Sequence, residues 1–83
     1  MSYEKVTQLK NRIVIGTKQT LKAMNNGEVS EIFIAADAEK HITQKVADLA
    51  EELGIPCQQV DSKRKLGKAA GVEVGASIIA VKK

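Results

Sequence analysis

The chain is poor in the residues from which most base-stacking surfaces and most active sites are built. It has no tryptophan, and Tyr3 and Phe33 are its only aromatics. Nucleic-acid binders of the RRM and OB type stack bases on exposed aromatic rings. With Phe33 inside an apolar run, this chain cannot supply such a platform. One cysteine, Cys57, excludes an intramolecular disulfide, and with no C-x-x-C step and one histidine, His41, the common zinc patterns are missing. A reduced, cytosolic setting is expected. No apolar run approaches the ~18 residues of a membrane span. The opening segment MSYEKVTQLK has no apolar core of a signal peptide, so neither membrane insertion nor secretion is expected.

The same scarcity argues against catalysis. His41 lies near the start of an amphipathic helix and reads as a surface or helix-end residue. Cys57 follows Pro56 in a short strand and reads as a small buried hydrophobe. Nothing in their spacing pairs them as nucleophile and base. Asp37 and Glu39 flank a helix start, where carboxylates serve as caps, and Glu51 and Glu52 belong to a solvated helix face. The Gly-Lys step in KLGKAAG lacks the spacing of a phosphate-binding P-loop. No enzyme activity, cofactor or metal is expected.

What the chain does have is length for one small domain, residues 1–83, and a segregated charge. Residues 28–61 hold eight acids and two bases, net −6, and the remainder holds eleven bases and two acids, net +9, which together give the overall +3. If the two basic segments meet in space they form a patch suited to a polyanion.

Periodicity predicts the order α-β-α-β-α-β-α-β. A short helix is expected over 3–11, with Tyr3, Val6 and Leu9 or Lys10 at helical spacing. A strand follows over RIVI (12–15), then a helix over 18–25, capped by Thr17 and stopped by NNG, with Leu21 and Met24 inward. EIFIAA (31–36) reads as a buried strand. Residues 39–53 repeat Ile42, Val46, Leu49, Ala50 and Leu53 along one face of a helix, which Gly54 and Pro56 end. CQQV (57–60) is a strand, Ser62 caps a helix reaching Ala70 with Lys63, Arg64, Lys65 and Lys68 outward, and 77–82 is the last strand. Such alternation implies an α/β fold, a three-layer α/β/α sandwich around a small four-stranded sheet.

One stretch breaks a local rule. GTKQTLK (16–22) places Lys18 in a first helical turn and Lys22 one turn above it. Lysines oppose the helix dipole there, and like charges at i, i+4 cost a few tenths of a kcal/mol. Broken local rules are expected at functional sites. A polyanion across this helix start would meet the free N–H groups, the Thr17 hydroxyl and two ammonium groups together, with Lys18 and Gln19 in reach of base edges. A second feature is GVEVG (71–75), where Val72 and Val74 flank Glu73. These valines are either core anchors or a small apolar surface for an unstacked base.

GTKQTLKAMNNGEVSEIFIAADA, GIPCQQV and SKRKLGKAAGVEVGAS together resemble the kink-turn RNA-binding family of ribosomal proteins, the L-seven-Ae and L-thirty-e type. The likeness runs from about residue 3 to 82, and the small bacterial members of the YbxF kind are similar to the chain in length and motifs. It implies an α/β/α sandwich with a mixed sheet. It implies as ligand a kink-turn, an RNA helix bent at an asymmetric bulge beside tandem sheared G·A pairs. The archaeal pattern Gly-x-Asn-Glu-x-x-Lys is matched at Gly16 and Lys22, while Lys18 and Gln19 stand in place of Asn and Glu, as in the L-thirty-e branch. By this likeness Gly16 permits close backbone approach, Lys18 and Gln19 read guanines, and Lys22 and Lys68 hold phosphates. Val72, Glu73 and Val74 pack on the bulge. A neutral Gln19 forms weaker bonds to guanine than a glutamate does.

The reading is a monomeric, cytoplasmic RNA-binding protein whose partner is structured RNA containing a kink-turn, not DNA. The family's name adds the ribosome as one setting for it. Two other readings compete: an assembly protein of a ribonucleoprotein acting mainly through protein contacts, and a domain of the kind appended to RNA-modifying enzymes.

Overall fold

The computed structural model describes residues 2–83, with the side chains of Ser2, Tyr3 and Lys5 outside the described set. The expected inward role of Tyr3 therefore falls outside the described residues. The elements are α1 (Ser2–Gln8), a 3-10 turn (Lys10–Arg12), β1 (Ile13–Ile15), α2 (Thr17–Asn25), β2 (Val29–Ala35), α3 (Lys40–Leu53), β3 (Cys57–Val60), α4 (Lys63–Ala69) and β4 (Ile78–Lys82). The sheet order is β1-β4-β2-β3. β4 runs antiparallel to both neighbours, and β2 and β3 are parallel, so the sheet is mixed.

Alternation along the two central strands divides the core into two layers. Phe33 and Ala35 of β2 and Ile79 and Val81 of β4 face α1 and α4, packing with Val6 and Leu66. Ile32 and Ile34 of β2 and Ile78 and Ala80 of β4 face α2 and α3, packing with Met24, Val46 and Ala50. A strand buried on both faces reads as a continuous apolar run, which is what IFIA and IIAV are. This is the three-layer α/β/α sandwich expected from the sequence.

Several boundaries and burials differ from expectation. The first helix ends at Gln8 and gives way to the 3-10 turn, and Leu9, not Lys10, packs on the core. Thr17 is not the cap of α2 but its first residue; Gly16 is the cap, because its backbone has already turned the chain. β2 begins two residues earlier than expected, with a register shift between Val29 and Glu31. Leu53, at the end of the amphipathic stripe of α3, is 48% exposed, although Ala50 in the same last turn is buried. Cys57 is exposed rather than buried, because β3 is an edge strand with one neighbour.

Candidate nucleic-acid interface

The start of α2 is set by Gly16. Its φ of 100° and ψ of 152° lie in a region open essentially to glycine alone. Its N–H donates to the Ile78 carbonyl at 3.2 Å, and its own carbonyl accepts from Thr20 N at 3.0 Å. No side chain caps the helix and no acid stands in its first turn. Thr20, Ala23 and Met24 turn into the core, which leaves Lys18, Gln19 and Lys22 on the outer side. Neither lysine has an acidic partner among the described residues. The unfavourable placement, about 0.3–1 kcal/mol per charge at the dipole's positive end, is thus not relieved within the chain.

The second feature is built on α4. Ser62 Oγ accepts from Lys65 N at 3.3 Å, the expected N-cap, and Asp37 Oδ1 accepts from Lys63 N at 2.8 Å. Asp37 therefore caps α4, not α3 beside it in sequence. Glu39 sits at the start of α3 without a side-chain capping bond and lies 3.4 Å from exposed His41. At its other end α4 closes with Gly71 N donating to Lys68 O and Val72 N to Gly67 O, both at 3.0 Å, and Gly71 at φ +84°. This paired arrangement is a Schellman ending, which needs a left-handed residue at that position.

The chain then doubles back over the helix it has just left. Ala76 N donates to Lys63 O at 2.9 Å, and Ala76 is buried. Between these ties the loop lies against Gly67, where a Cβ would collide with the Val74 carbonyl oxygen and sit 3.0 Å from Ala76 N and Gly75 Cα. Val72 is half-buried, and its N–H is the one bonded to Gly67 O, while Val74 is 74% exposed. Glu73 and Lys68 are exposed.

β1 ends where β4 begins. Ile15 pairs with Ile79, Gly16 bonds to Ile78, and Ser77 O accepts from Ala35 N at 2.9 Å. The start of α2 and the loop leading into β4 therefore share one end of the sheet. The basic segments do not merge into one flat patch, however. Lys18, Gln19 and Lys22 belong to the layer of α2, and Lys63, Arg64, Lys65 and Lys68 to the opposite layer of α4. Only the sheet end joins them, so a ligand touching both must wrap that end.

Two features of this region are not marked as such by the sequence. Gly67 reads there as part of a Gly-Lys step, whereas its role is to admit the loop backbone. The helix-interior glycine is the available signal. Thr20, fully buried with its Oγ1 lacking a partner, gives no signal, since it looks like any helix residue. Cys57 lines a separate cleft of about 340 Å³ between α3 and β3, with Ile34 and Thr43, and partial burial pushes its thiol upward. Among the described residues no group of three His, Cys, Asp or Glu side chains gathers, and no helix is long and apolar enough to cross a membrane.

Residues 1–83 match the ribosomal protein L7Ae/L30e/S12e/Gadd45 family. The chain is 54% identical to the RNA-binding protein BH0128 of Halalkalibacterium halodurans, with all of both chains covered. It is 49% identical to the RNA-binding protein YbxF of Geobacillus stearothermophilus, over 98% of each. Among solved structures, the Giardia lamblia 15.5kD RNA binding protein superposes with a TM-score of 0.89 at 30% identity, covering 99% of this chain and 73% of that one. With the match spanning its whole length and half of its residues shared with such relatives, this chain belongs to the ribosomal protein L7Ae/L30e/S12e/Gadd45 family.

Proposed function

We propose that the protein binds structured RNA and that its ligand is a kink-turn. The observation that carries this is the convergence, at one end of the sheet, of an uncapped helix start bearing lysines with no acidic partner among the described residues and a tethered loop that presents an exposed valine. An RNA bent sharply enough to touch both layers is the ligand this shape accommodates. A straight duplex meets one layer or the other. The names of the relatives support RNA over other polyanions.

Each residue then has a physical task. Gly16 brings bare backbone to the RNA, and the N–H groups of the first turn and the Thr17 hydroxyl face anionic oxygen. Lys18 and the amide of Gln19, which both donates and accepts, reach the edges of guanines in sheared G·A pairs. Lys22 and Lys68 neutralise phosphates on opposite sides of the kink, lowering the repulsion that bending creates. Val74 covers a splayed base without an aromatic ring, Val72 fixes the loop, and Glu73 faces the bulge between them. The protein acts as a monomer in the cytoplasm.

A gel-shift series tests this. RNA with the sheared G·A pairs replaced by Watson–Crick pairs is expected to bind much more weakly than the intact kink-turn; equal affinity overturns the proposal. Lys22→Ala is expected to weaken binding and to lower the salt dependence by about one ion. An unchanged slope would mean that Lys22 meets solvent in the complex.

A further inference from the structure

The start of α2 is continuous with a groove that runs down the helix toward the far end of the sheet. Gln19, Lys22 and Asn26, spaced i, i+3 and i+7, form one wall, and Glu28 and Lys82 the other, around a space of about 200 Å³. Val14 and Ala23 make its floor. All five wall residues are exposed. Lys82 ends β4, and the even-numbered positions of that strand face the α2 layer, so its side chain rises on the same side as Lys22. Neither ammonium group has an acidic partner at salt-bridge distance among the described residues, although Glu28 lines the same space.

Resting on the proposed kink-turn reading, we infer that this groove carries the phosphate backbone of the stem that begins with the G·A pairs, with Lys82 as a second, remote phosphate contact. The chemistry favours a backbone over a base. Beside Glu28, the walls offer two ammonium groups and two side-chain amides whose NH2 groups can donate, while the floor is aliphatic with no ring to stack on. The nine residues of α2 span about 13 Å. An A-form RNA stem rises less per base step than the ~3.4 Å of B-DNA, so Lys82 meets the backbone roughly four to five nucleotides beyond the contact made by the helix start. Glu28 is the one repelling charge along the way, and its effect has the opposite sign.

The test uses the full-length protein and two kink-turn RNAs. They differ only in the stem after the G·A pairs, which is cut to about two base pairs or extended to about eight, on either side of the roughly four- to five-step reach. Lys82→Gln is expected to bind the short-stem RNA as the wild type does and the long-stem RNA several-fold more weakly. Because the variant neutralises one phosphate fewer, its salt slope on the long RNA is smaller by about 0.7–0.9, and its deficit shrinks about 2.5- to 3.5-fold between ~50 and ~200 mM salt. Glu28→Gln is expected to tighten binding of the long-stem RNA alone. Both substitutions are at exposed positions, and matching thermal melts establish that the variants are folded. If Lys82→Gln and Glu28→Gln bind the long stem as the wild type does while Lys22→Ala loses affinity for both RNAs, the groove is not used and the kink-turn reading stands. Should the wild type fail to prefer either kink-turn over its Watson–Crick control, the reading itself falls, and the inference with it.

Discussion

Gly67→Ala separates two physical expectations by sign. Gly67 is a helix-interior residue of α4 with no positive φ. Helix propensity alone therefore predicts that alanine stabilises the protein, by about 0.8–1 kcal/mol. Packing predicts the reverse. A methyl group there runs into the Val74 carbonyl oxygen, and its next neighbours, Ala76 N and Gly75 Cα at 3.0 Å, are also backbone. No flexible side chain can move aside to relieve the clash. The loop itself is held at both ends, by Val72 N to Gly67 O and Ala76 N to Lys63 O, so it cannot swing away without losing hydrogen bonds. Overpacking of this kind costs about 1–3 kcal/mol, and the backbone partners argue for the upper part of that range. Set against the propensity gain, the net loss is about 1–2 kcal/mol. For a domain of this size each kcal/mol moves the midpoint by about 4–8 °C, which gives a fall of roughly 5–15 °C. Thermal unfolding followed by circular dichroism measures it directly. A melting temperature equal to or above that of the wild type would refute the claim that the loop rests on this glycine. RNA affinity is expected to fall further than stability, because the displaced segment carries Val74.

Other outcomes follow from single features. Gly16→Ala meets no steric obstacle but forces alanine into a backbone region reserved for glycine, so a loss of about 1–3 kcal/mol is expected; an unchanged denaturation midpoint would show that the chain reaches α2 by another route. Thr20→Val keeps the shape and removes a buried hydroxyl that has no partner, so stability should hold or rise. A drop of more than about 1 kcal/mol in urea titration would reveal a bound water serving that oxygen. Although Cys57 is exposed on its edge strand, the cleft between α3 and β3 desolvates its thiol enough to raise it above its ordinary value, so alkylation near neutral pH should run slower than that of a peptide thiol. The sign for stability follows: the folded state holds this proton longer than the unfolded one, so the contribution is intact below the unfolded thiol's pKa, about 8.5, and declines as pH rises above it. An alkylation rate equal to the peptide's at every pH contradicts the assignment.

The parts of the fold legible in the sequence are those written in short-range patterns. IFIA and IIAV announce strands buried on two faces, and Ser62 announces a cap. The stop at Gly54 is of the same kind, since one residue's left-handed preference decides it. What the sequence does not show is set by partners distant along the chain. Asp37 reads as a cap for α3 and instead caps α4, because β2 and β3 are parallel neighbours and their ends bring residue 37 to residue 63. Cys57 reads as buried because a free cysteine behaves as a small hydrophobe, and only the strand order makes β3 an edge. In the candidate site, Gly16 and the two lysines stand out as violations of helix rules. Gly67 does not, because its cause is a loop several residues downstream folding back on it.

The charge pattern shows how far a one-dimensional reading reaches. Two basic segments flanking an acidic one suggest a patch, yet the chain places α2 and α4 on opposite faces of the sheet. That arrangement is more selective than a patch. A continuous basic plane attracts any polyanion in proportion to the phosphates it covers. On the proposed reading, two basic layers joined at one sheet end favour a ligand that turns the corner, because a straight one meets a single layer. On that reading the exposed charges supply attraction, and the placement of α2 and α4 on opposite faces of the sheet supplies discrimination. By this logic the unfavourable lysines at the start of α2 cannot be moved elsewhere on the surface at constant net charge without loss. Relocating the charge of Lys18 or Lys22 to an exposed position of α3 would leave the net charge at +3 and relieve the helix. It would also shift preference toward straight RNA, which paired gel shifts on a kink-turn and a duplex of equal length would measure. An unchanged ratio of the two affinities would mean that charge alone, wherever it sits, accounts for binding.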